Sequence, residues 1–416
     1  MKKYRIGIFG TGPRGRDLSE TFMLLNCEIV ALCDQRKDKL TELSKKLGED
    51  IPIFTDFDEF LKTDMDAVVL ANYFHEHAPY AIKCLERGIS VYSECISNGT
   101  MAEGVELVRA AEKSNAVYFL AENYPQMLFN REMKRIVDGG TLGKIIYAEG
   151  EYNHPGDPLN IDFKRDYVYF DKHWRNYLPT TYYLTHSLGP IMRATGATPK
   201  RVCAMASTVP APENIPSVTM SIDCMATIIT KNDDGSVFRF TGCAAMGAHH
   251  KSYRVAGTNG TIENIRGMEP EVMLRYNDWQ IPEGMQEINR YTPEWNDKDE
   301  ELIKKSGHGG GDYLTARLFL ECMEAGVQPE HPYNVYAATV MSSVAILGHR
   351  SVLEGGMPYD IPDFRLEEDR VKYENDRVSP FYSNDGTAPS IPCCSKTDYK
   401  PTQKQQDLFH EMMNKK

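Results

Sequence analysis

Two groups of residues in this chain have the types and spacing for chemistry. The first is the turn Gly10-x-Gly12-x-x-Gly15, with Pro13 and Arg14 inside it. Glycines at this spacing permit a tight turn and close backbone approach to a pyrophosphate. The N–H groups that open a following helix add donors and positive dipole. Asp34 lies 19 residues past Gly15 and closes the next apolar run, where a carboxylate takes the hydroxyls of an adenosine ribose. That acid would repel a 2′-phosphate, which points to NAD. Arg36, just beyond it, is placed to pair with phosphate and keeps NADP open. A glycine turn in some other strand–helix–strand unit is the bland alternative. The apolar run before the turn and the acid after it weigh against that. The second group lies in residues 149–190 and comprises Tyr152, His154, Trp174, Arg175, Tyr183 and His186. Imidazole titrates near neutrality and can take and return one proton per cycle. Tyrosine, with a pKa of ~10, needs activation to serve as a base. Tryptophan beside arginine suits a sugar face and one of its hydroxyls, or a carboxylate or sulfonate. Each also has a structural reading: a histidine bonded to a carbonyl, a strand tyrosine over the core, a tryptophan packed at a helix start.

The elements that must position these residues follow from periodicity. Apolar runs at 5–9, 28–33, 67–70, 90–92 and 117–120 alternate with amphipathic stretches at 37–47, 78–87 and 101–114. Leu18, Phe22 and Leu25 mark a further helix after the glycine turn. This alternation predicts a doubly wound parallel sheet, with ligands beyond the strand C-termini near 10–15, 71–77 and 94–97. Asn72, His77, Glu94 and Asn123 then join the glycine turn on the cofactor side. After Pro125 the pattern changes to strands at 144–152, 200–207, 219–230, 236–245, 252–257, 260–264 and 271–275, with helices at 130–137, 312–324 and 334–353. Consecutive strands without helices predict an α+β domain with a large, mostly antiparallel, open-faced sheet. A helix beginning at 183–192 would put Tyr183 and His186 on one face. A strand continuing past 152 would do the same for Tyr152 and His154, although Asp157 and Pro158 mark its end. The expected domains are 1–123 for the Rossmann dinucleotide domain, 124–359 for the α+β substrate-binding and oligomerisation domain, and 360–416 for a C-terminal arm.

Bulk properties narrow the class. The chain has 416 residues, with 59 acids against 47 Lys and Arg, a net charge of −12 that argues against a nucleic-acid surface. No apolar run approaches the ~20 residues that span a bilayer. Met1-Lys-Lys leads straight into the first strand with no leader visible, so the cytoplasm is expected. The ten cysteines are scattered without a CxxC pair and read as reduced core residues. Cys393-Cys394 could instead bind a metal or form a vicinal disulfide. His249-His250-Lys251 looks like a metal or anion cluster, but adjacent histidines on a strand face opposite ways, and no metal site is expected. An open sheet face must be covered, which suggests a homodimer or homotetramer.

Residues 1 to about 365 resemble the Gfo/Idh/MocA oxidoreductase family. The likeness is carried by the glycine turn, by the segment around His77-x-Pro79-x-Ala81, and by Glu94 after the next strand. That family usually carries Glu-Lys-Pro there, with the lysine beside the reacting carbon. Here the string is Glu94-Cys95-Ile96, and a thiol is no cationic donor. The departure is similar to the branch of NAD-dependent glycosidases of glycoside hydrolase family 109, which also lacks the lysine. Asn123, Glu149-Gly-Glu-Tyr152-Asn-His154, His173-Trp174-Arg175, Tyr183-Leu-Thr-His186-Ser-Leu-Gly-Pro190, Gly307-His308-Gly-Gly-Gly-Asp312 and Asp360-Ile-Pro-Asp-Phe364 resemble that branch. Leu184 and Ser187 stand where its strings have proline and glycine.

The resemblance implies a glycoside substrate and a route in which NAD is used and regenerated. NAD⁺ takes hydride from C3 of the sugar, and the ketone acidifies the C2 proton. A base removes that proton, the C1 leaving group is eliminated, water adds, and NADH reduces the ketone. His186 is expected at the 3-hydroxyl with Tyr183 beside it, and Tyr152 as the C2 base or an oriented donor, activated by a neighbouring cation or the oxidised nicotinamide. Trp174, Arg175, His154 and His308 are expected on the sugar; His308 could instead approach the cofactor. Glu94 and Asn123 are expected on the nicotinamide side. Arg175, Lys251 or Arg254 could mark an acidic or sulfonated sugar. A plain NAD-dependent sugar or cyclitol dehydrogenase is the alternative, and a non-catalytic NAD-sensing protein a third.

Overall fold

Short apolar runs punctuated by glycine and proline make short strands. The computed structural model, which describes residues 3–48, 50–242 and 247–414, arranges them in two sheets. By packing, residues 1–127, 295–339 and 364–377 form one unit, and residues 128–294, 340–363 and 378–416 a second.

The first unit is built on β1 (Arg5–Phe9), β2 (Glu28–Cys33), β3 (Ile53–Phe54), β4 (Ala67–Leu70), β5 (Ser90–Ser93) and β6 (Tyr118–Leu120). All pairs are parallel and the order is β3-β2-β1-β4-β5-β6. The strands read as continuous apolar runs because helices cover both faces. The order reverses at β1 and β4, which places Gly10 and Asn72 at the switch point where such sheets bind ligands. The helix Pro13–Leu24 turns Leu18 and Phe22 into the core. The two-residue β3 is too short for periodicity to show.

Two later segments belong to this unit, which corrects the boundaries expected from the sequence. The helix Gly311–Ala325 puts Tyr313, Ala316, Phe319 and Leu320 into the core of the parallel sheet. Phe319 meets Phe22 at 6.3 Å and Phe119 at 5.8 Å, and Tyr333 stacks on Phe119 at 4.8 Å. Arg370, nearly fully buried, donates to the Phe364 carbonyl and to the Glu112 carboxylate. Apolar and ionic partners distant in sequence, invisible to local periodicity, thus reassign 295–339 and 364–377.

The second unit holds nine strands, β7 (Ile145–Asn153), β8 (Pro199–Thr208), β9 (Asp223–Asn232), β10 (Val237–Thr241), β11 (His250–Gly257), β12 (Gly260–Asn264), β13 (Val272–Tyr276), β14 (Ile288–Tyr291) and β15 (Tyr359–Asp360), in the order β14-β13-β12-β11-β7-β10-β9-β8-β15. Among the described residues of this sheet only β7 and β10 pair in parallel. One face buries Ala148, Tyr152, Ile228, Phe238, Phe240, Tyr253, Val255, Ile262 and Leu274. The helix Thr185–Thr195 packs on it against β7 and β11, and the helix Leu128–Asp138 against β12. The other face carries Glu149 with Arg239 and Arg254, Glu263 with Arg275, and exposed Met205, Ile229 and Val237. The strand expected at 236–245 ends at Thr241; Cys243, Ala244 and Ala245 lie outside the described residues. β14 and the tail helix Gln403–Asn414 were not anticipated. That helix buries only Gln405 and Phe409, too few for an amphipathic signal.

The tail is ordered against the second unit. Asp223 accepts from Ser395 N at 2.9 Å and Ser395 Oγ at 2.5 Å, and the Cys394 thiol lies 3.5 Å from the same carboxylate. The nine described cysteines are free thiols; burial pushes that of Cys393 up to about 12. Among the described residues no helix is long and apolar enough to cross a membrane. His349 Nε2 lies 2.7 Å from the Pro392 carbonyl and donates to it. Burial pushes the His349 imidazole down to about 4. The unfolded chain therefore binds the extra proton between about pH 6.5 and 4, and stability falls as pH drops through that window. The loss expected is of order 3 kcal/mol. Calorimetric unfolding should show that acid limb in the native chain and a flatter one in His349→Gln; identical limbs would remove His349 as its source.

Candidate active site

In the first unit the glycine turn has the shape a dinucleotide needs. Gly10 has φ +94°, and a Cβ there would sit 2.4 Å from the Ala71 carbonyl; a Cβ on Gly15 would sit 1.8 Å from the Gly10 oxygen. Above Gly12 the space is open, with nothing within 4 Å of a Cβ. No side chain caps the helix that begins at Pro13, so its first N–H groups remain for a ligand. Pro13 takes the first helical position, where its missing N–H costs nothing. Asp34 accepts from Thr11 N at 2.6 Å, Thr11 Oγ1 at 3.0 Å and Arg36 N at 2.8 Å, which fixes the carboxylate beside the turn. The Arg36 guanidinium pairs with Asp38 at 2.6 Å, so its charge is already matched without a 2′-phosphate. Buried polar atoms without a protein partner, both amide atoms of Asn72 and Oδ1 of Asn123, fit a bound polar group. These residues fit NAD. His77 is buried, with Nδ1 2.7 Å from the Ile96 carbonyl, and ties the loop after β4 to the loop after β5.

Arg14 is not free to reach a phosphate as a lone cation. Its Nε donates to Glu94 at 2.7 Å, and its two terminal nitrogens donate to the two oxygens of Asp312, each at 2.8 Å. Asn123 Nδ2 donates to Asp312 at 2.6 Å, and His308 Nδ1 lies 2.9 Å from it. Burial alone would raise the Asp312 carboxyl, but the Arg14 charge and the hydrogen bonds from His308 and Arg14 hold it well below the carboxylate range. The Asp312 carboxylate orients the His308 ring through Nδ1. Periodicity reads Asp312 only as a helix start. The spacing of four residues from His308 was the available signal.

Cys95, in the string Glu94-Cys95-Ile96 after β5, is a buried thiol 3.4 Å from the Glu122 carboxylate.

In the second unit the structure brings together four of the six residues singled out in 149–190. Tyr152 lies on the inner face of β7. Its ring centroid is 5.0 Å from His186, edge-on, 6.1 Å from Tyr183 and 5.6 Å from His154. Tyr183 meets His186 edge-on at 5.4 Å. Tyr183 ends a short 3₁₀ turn, Thr180–Tyr183, and His186 opens the helix Thr185–Thr195, so the single helix expected is two pieces. Gly150 permits this assembly: a Cβ there would sit 2.0 Å from the Ser187 carbonyl oxygen. Tyr253 Oη, donating to the His186 carbonyl at 2.5 Å, pins the same helix to β11. β7 stops at Asn153, yet the His154 ring stays stacked on Tyr152 and its Nδ1 is 3.0 Å from Nδ1 of His249. Partial burial lowers the His154 imidazole, as do His249, His186, Arg175 and Lys251. His250 turns away to Glu151 at 3.2 Å, so the adjacent histidines separate. Trp174 is 8 % exposed and carries the Arg175 guanidinium 4.4 Å above its ring. It thus presents a cation rather than a bare aromatic face.

A doubly wound dinucleotide domain and a mostly antiparallel open sheet together make the two-part architecture of an NAD-binding protein. Residues 4–122 match the oxidoreductase family model with NAD-binding Rossmann fold, 130–263 the GFO/IDH/MocA C-terminal domain, and 220–369 the glycosyl hydrolase 109 C-terminal domain. The matches are thus to Gfo/Idh/MocA models over the first two stretches and to a glycosyl hydrolase 109 model over the third. It is 27 % identical over 402 residues to a glycosyl hydrolase family 109 protein of Solibacter usitatus, covering 86 % of this chain and 88 % of that one. A second, from Streptomyces filamentosus, is 26 % identical over 400 residues, covering 88 % and 78 %. Among solved structures, levoglucosan dehydrogenase with NADH and L-sorbose aligns with a TM-score of 0.69 at 15 % identity, covering 87 % of this chain and all of that one. The myo-inositol 2-dehydrogenase of Lactobacillus plantarum aligns at 0.64 and 21 %, covering 86 % and 100 %. These share the fold.

The buried charges make a sharp stability test. Removing one member of such a pair strands the other, at roughly 3–5 kcal/mol. Arg14→Met and Asp312→Leu should each destabilise strongly, and the double variant by less than their sum, with a coupling above about 1 kcal/mol. Urea unfolding of the four proteins measures this; strict additivity would mean the contact carries no coupling.

Proposed function

We propose that this protein is an NAD-dependent glycoside hydrolase that cleaves a glycosidic bond by transient C3 oxidation, C1–C2 elimination, water addition and re-reduction. The observation that carries the reading is the packed group of Tyr152, Tyr183 and His186, in a chain whose position 95 is a buried thiol. NAD supplies the two-electron oxidation of the C3 carbinol and its reversal. His186, with Tyr183 edge-on beside it, takes the proton of the 3-hydroxyl and later returns it. Tyr152 accepts the C2 proton that a C3 ketone makes acidic. The electron pair of that C–H bond forms C1=C2 as the C1–O bond breaks and the leaving group departs with a proton. Water adds at C1 and a proton returns to C2. One water is consumed, and the cofactor ends in the oxidation state in which it began. Trp174, Arg175, His154 and His308 hold the sugar, with Asp312 orienting the His308 ring.

The family 109 names of the relatives at 26–27 % identity support hydrolysis. The dehydrogenases share the fold at 15–21 % identity, which leaves the chemistry to the residues. The Tyr152 group contains no pair of carboxylates, so the two-carboxylate route to glycoside hydrolysis has no counterpart there. Exposed Met205, Ile229 and Val237 on the outer sheet face support a homodimer or homotetramer.

The test is to incubate the purified protein in D₂O with α- and β-aryl glycosides and follow products by NMR. Free sugar carrying deuterium at C2, with no accumulation of NADH, is the expected result. NADH with an intact C1–O bond would move the assignment to a sugar or cyclitol dehydrogenase. In the same assay Tyr152→Phe should lower kcat by about 10²–10⁴-fold, the range for a lost proton-transfer group, and abolish C2 exchange. C2 exchange at the native rate in that variant would assign the base elsewhere.

A further inference from the structure

The sugar-facing residues of the second unit are one-sided in charge. Lys251 on β11 is the direct cross-strand partner of Tyr152, so its side chain shares the inner face with Tyr152. His154 and His249 meet at the end of the same strand pair, and His186 packs edge-on to Tyr152. Arg175 is held by rings instead of acids, with its guanidinium 4.4 Å from Trp174, 5.1 Å from Tyr167 and 5.9 Å from Phe163. Among the described residues it makes no ion pair with a carboxylate. The acids of β7 turn the other way: Glu149 goes to Arg239 and Arg254, and Glu151 to Arg266 and His250. Arg175 and Lys251 both act on His154, lowering its imidazole after partial burial. A neutral sugar would leave a stacked guanidinium with five donors and no anionic acceptor. An oxyanion on the substrate would supply that acceptor through charge-assisted hydrogen bonds.

We propose that the glycoside taken by this site carries an anionic group, a carboxylate or an oxyanion of sulfur or phosphorus, held by Arg175 and Lys251. The inference rests on the reading of these residues as the sugar site. Matched 4-nitrophenyl hexosides, the corresponding uronides, and neutral hexosides with a carboxylated aryl aglycone are the probes, with NAD present. One of the two charged sets should exceed the neutral set in kcat/KM by about 10- to 100-fold, the range of a charge-assisted hydrogen bond. A uronide preference places the charge on the sugar, and an aglycone preference places it on the leaving group. Arg175→Gln and Lys251→Met should each cut the charged-to-neutral ratio by about tenfold or more, and Arg175→Lys should keep most of it. Equal or faster turnover of the neutral set overturns the proposal. If no glycoside is cleaved, saturation-transfer NMR with free uronate competing against free hexose decides it. Uronate preference without cleavage would sink the hydrolase reading and leave the anion site standing; no preference would overturn the anion site itself.

Discussion

Backbone approaches that only glycine allows are the constraint on which both halves of this molecule's chemistry depend. In the first unit the Gly10 carbonyl fills the space that a Cβ on Gly15 would need, at 1.8 Å. That contact folds the turn onto the start of the helix and leaves the helix N–H groups facing outward. In the second unit the same device works twice on one segment. Gly150 admits the Ser187 carbonyl and Gly242 admits that of Thr180, each at 2.0 Å from where a Cβ would lie. The 180–187 segment is thereby drawn onto β7 and β10, and Tyr183 and His186 come to rest against Tyr152. Packing densities near those of crystals leave no slack for such contacts to open gradually.

Charge completes what backbone packing begins. Asp312 is fully buried, and an unpaired carboxylate there would be costly. Arg14, Asn123 and His308 converge on it, so one acid fixes a cation from the glycine turn, an amide from the end of β6 and an imidazole from the glycine-rich loop. Glu94 adds a second acid to the same guanidinium. The cluster thus ties the glycine turn, the end of β6 and the glycine-rich loop into one buried network.

The sheet architecture was legible because β1, β2 and β4 are near-continuous apolar runs and because Gly10 to Asp34 has a spacing with a mechanism behind it. Tyr152, Tyr183 and His186 were legible as residue types within one short stretch, but their contacts depend on Gly150 and Gly242, whose roles are tertiary. Asp312 stood out only as the end of a glycine-rich string, because a buried acid at a helix start looks local in sequence. Its partner Arg14 lies 298 residues away. The same distance hid the boundary error: the helix Gly311–Ala325 carries its own apolar stripe, and nothing in that stripe says which sheet it covers.

Position 95 shows why fold alone leaves the reaction open. Sugar dehydrogenases and this chain share both sheets, so the choice between a net oxidation and a redox-neutral cleavage falls to a few side chains. A lysine beside the reacting carbon can hold an alkoxide's proton throughout a simple oxidation. A buried thiol bonded to Glu122 cannot supply that positive charge. In the proposed reaction the two proton carriers are Tyr152 and His186, whose ring centroids lie 5.0 Å apart. Two proton carriers suit a sequence with two distinct deprotonations, at an oxygen and at the carbon beside it. A single alcohol oxidation needs only one.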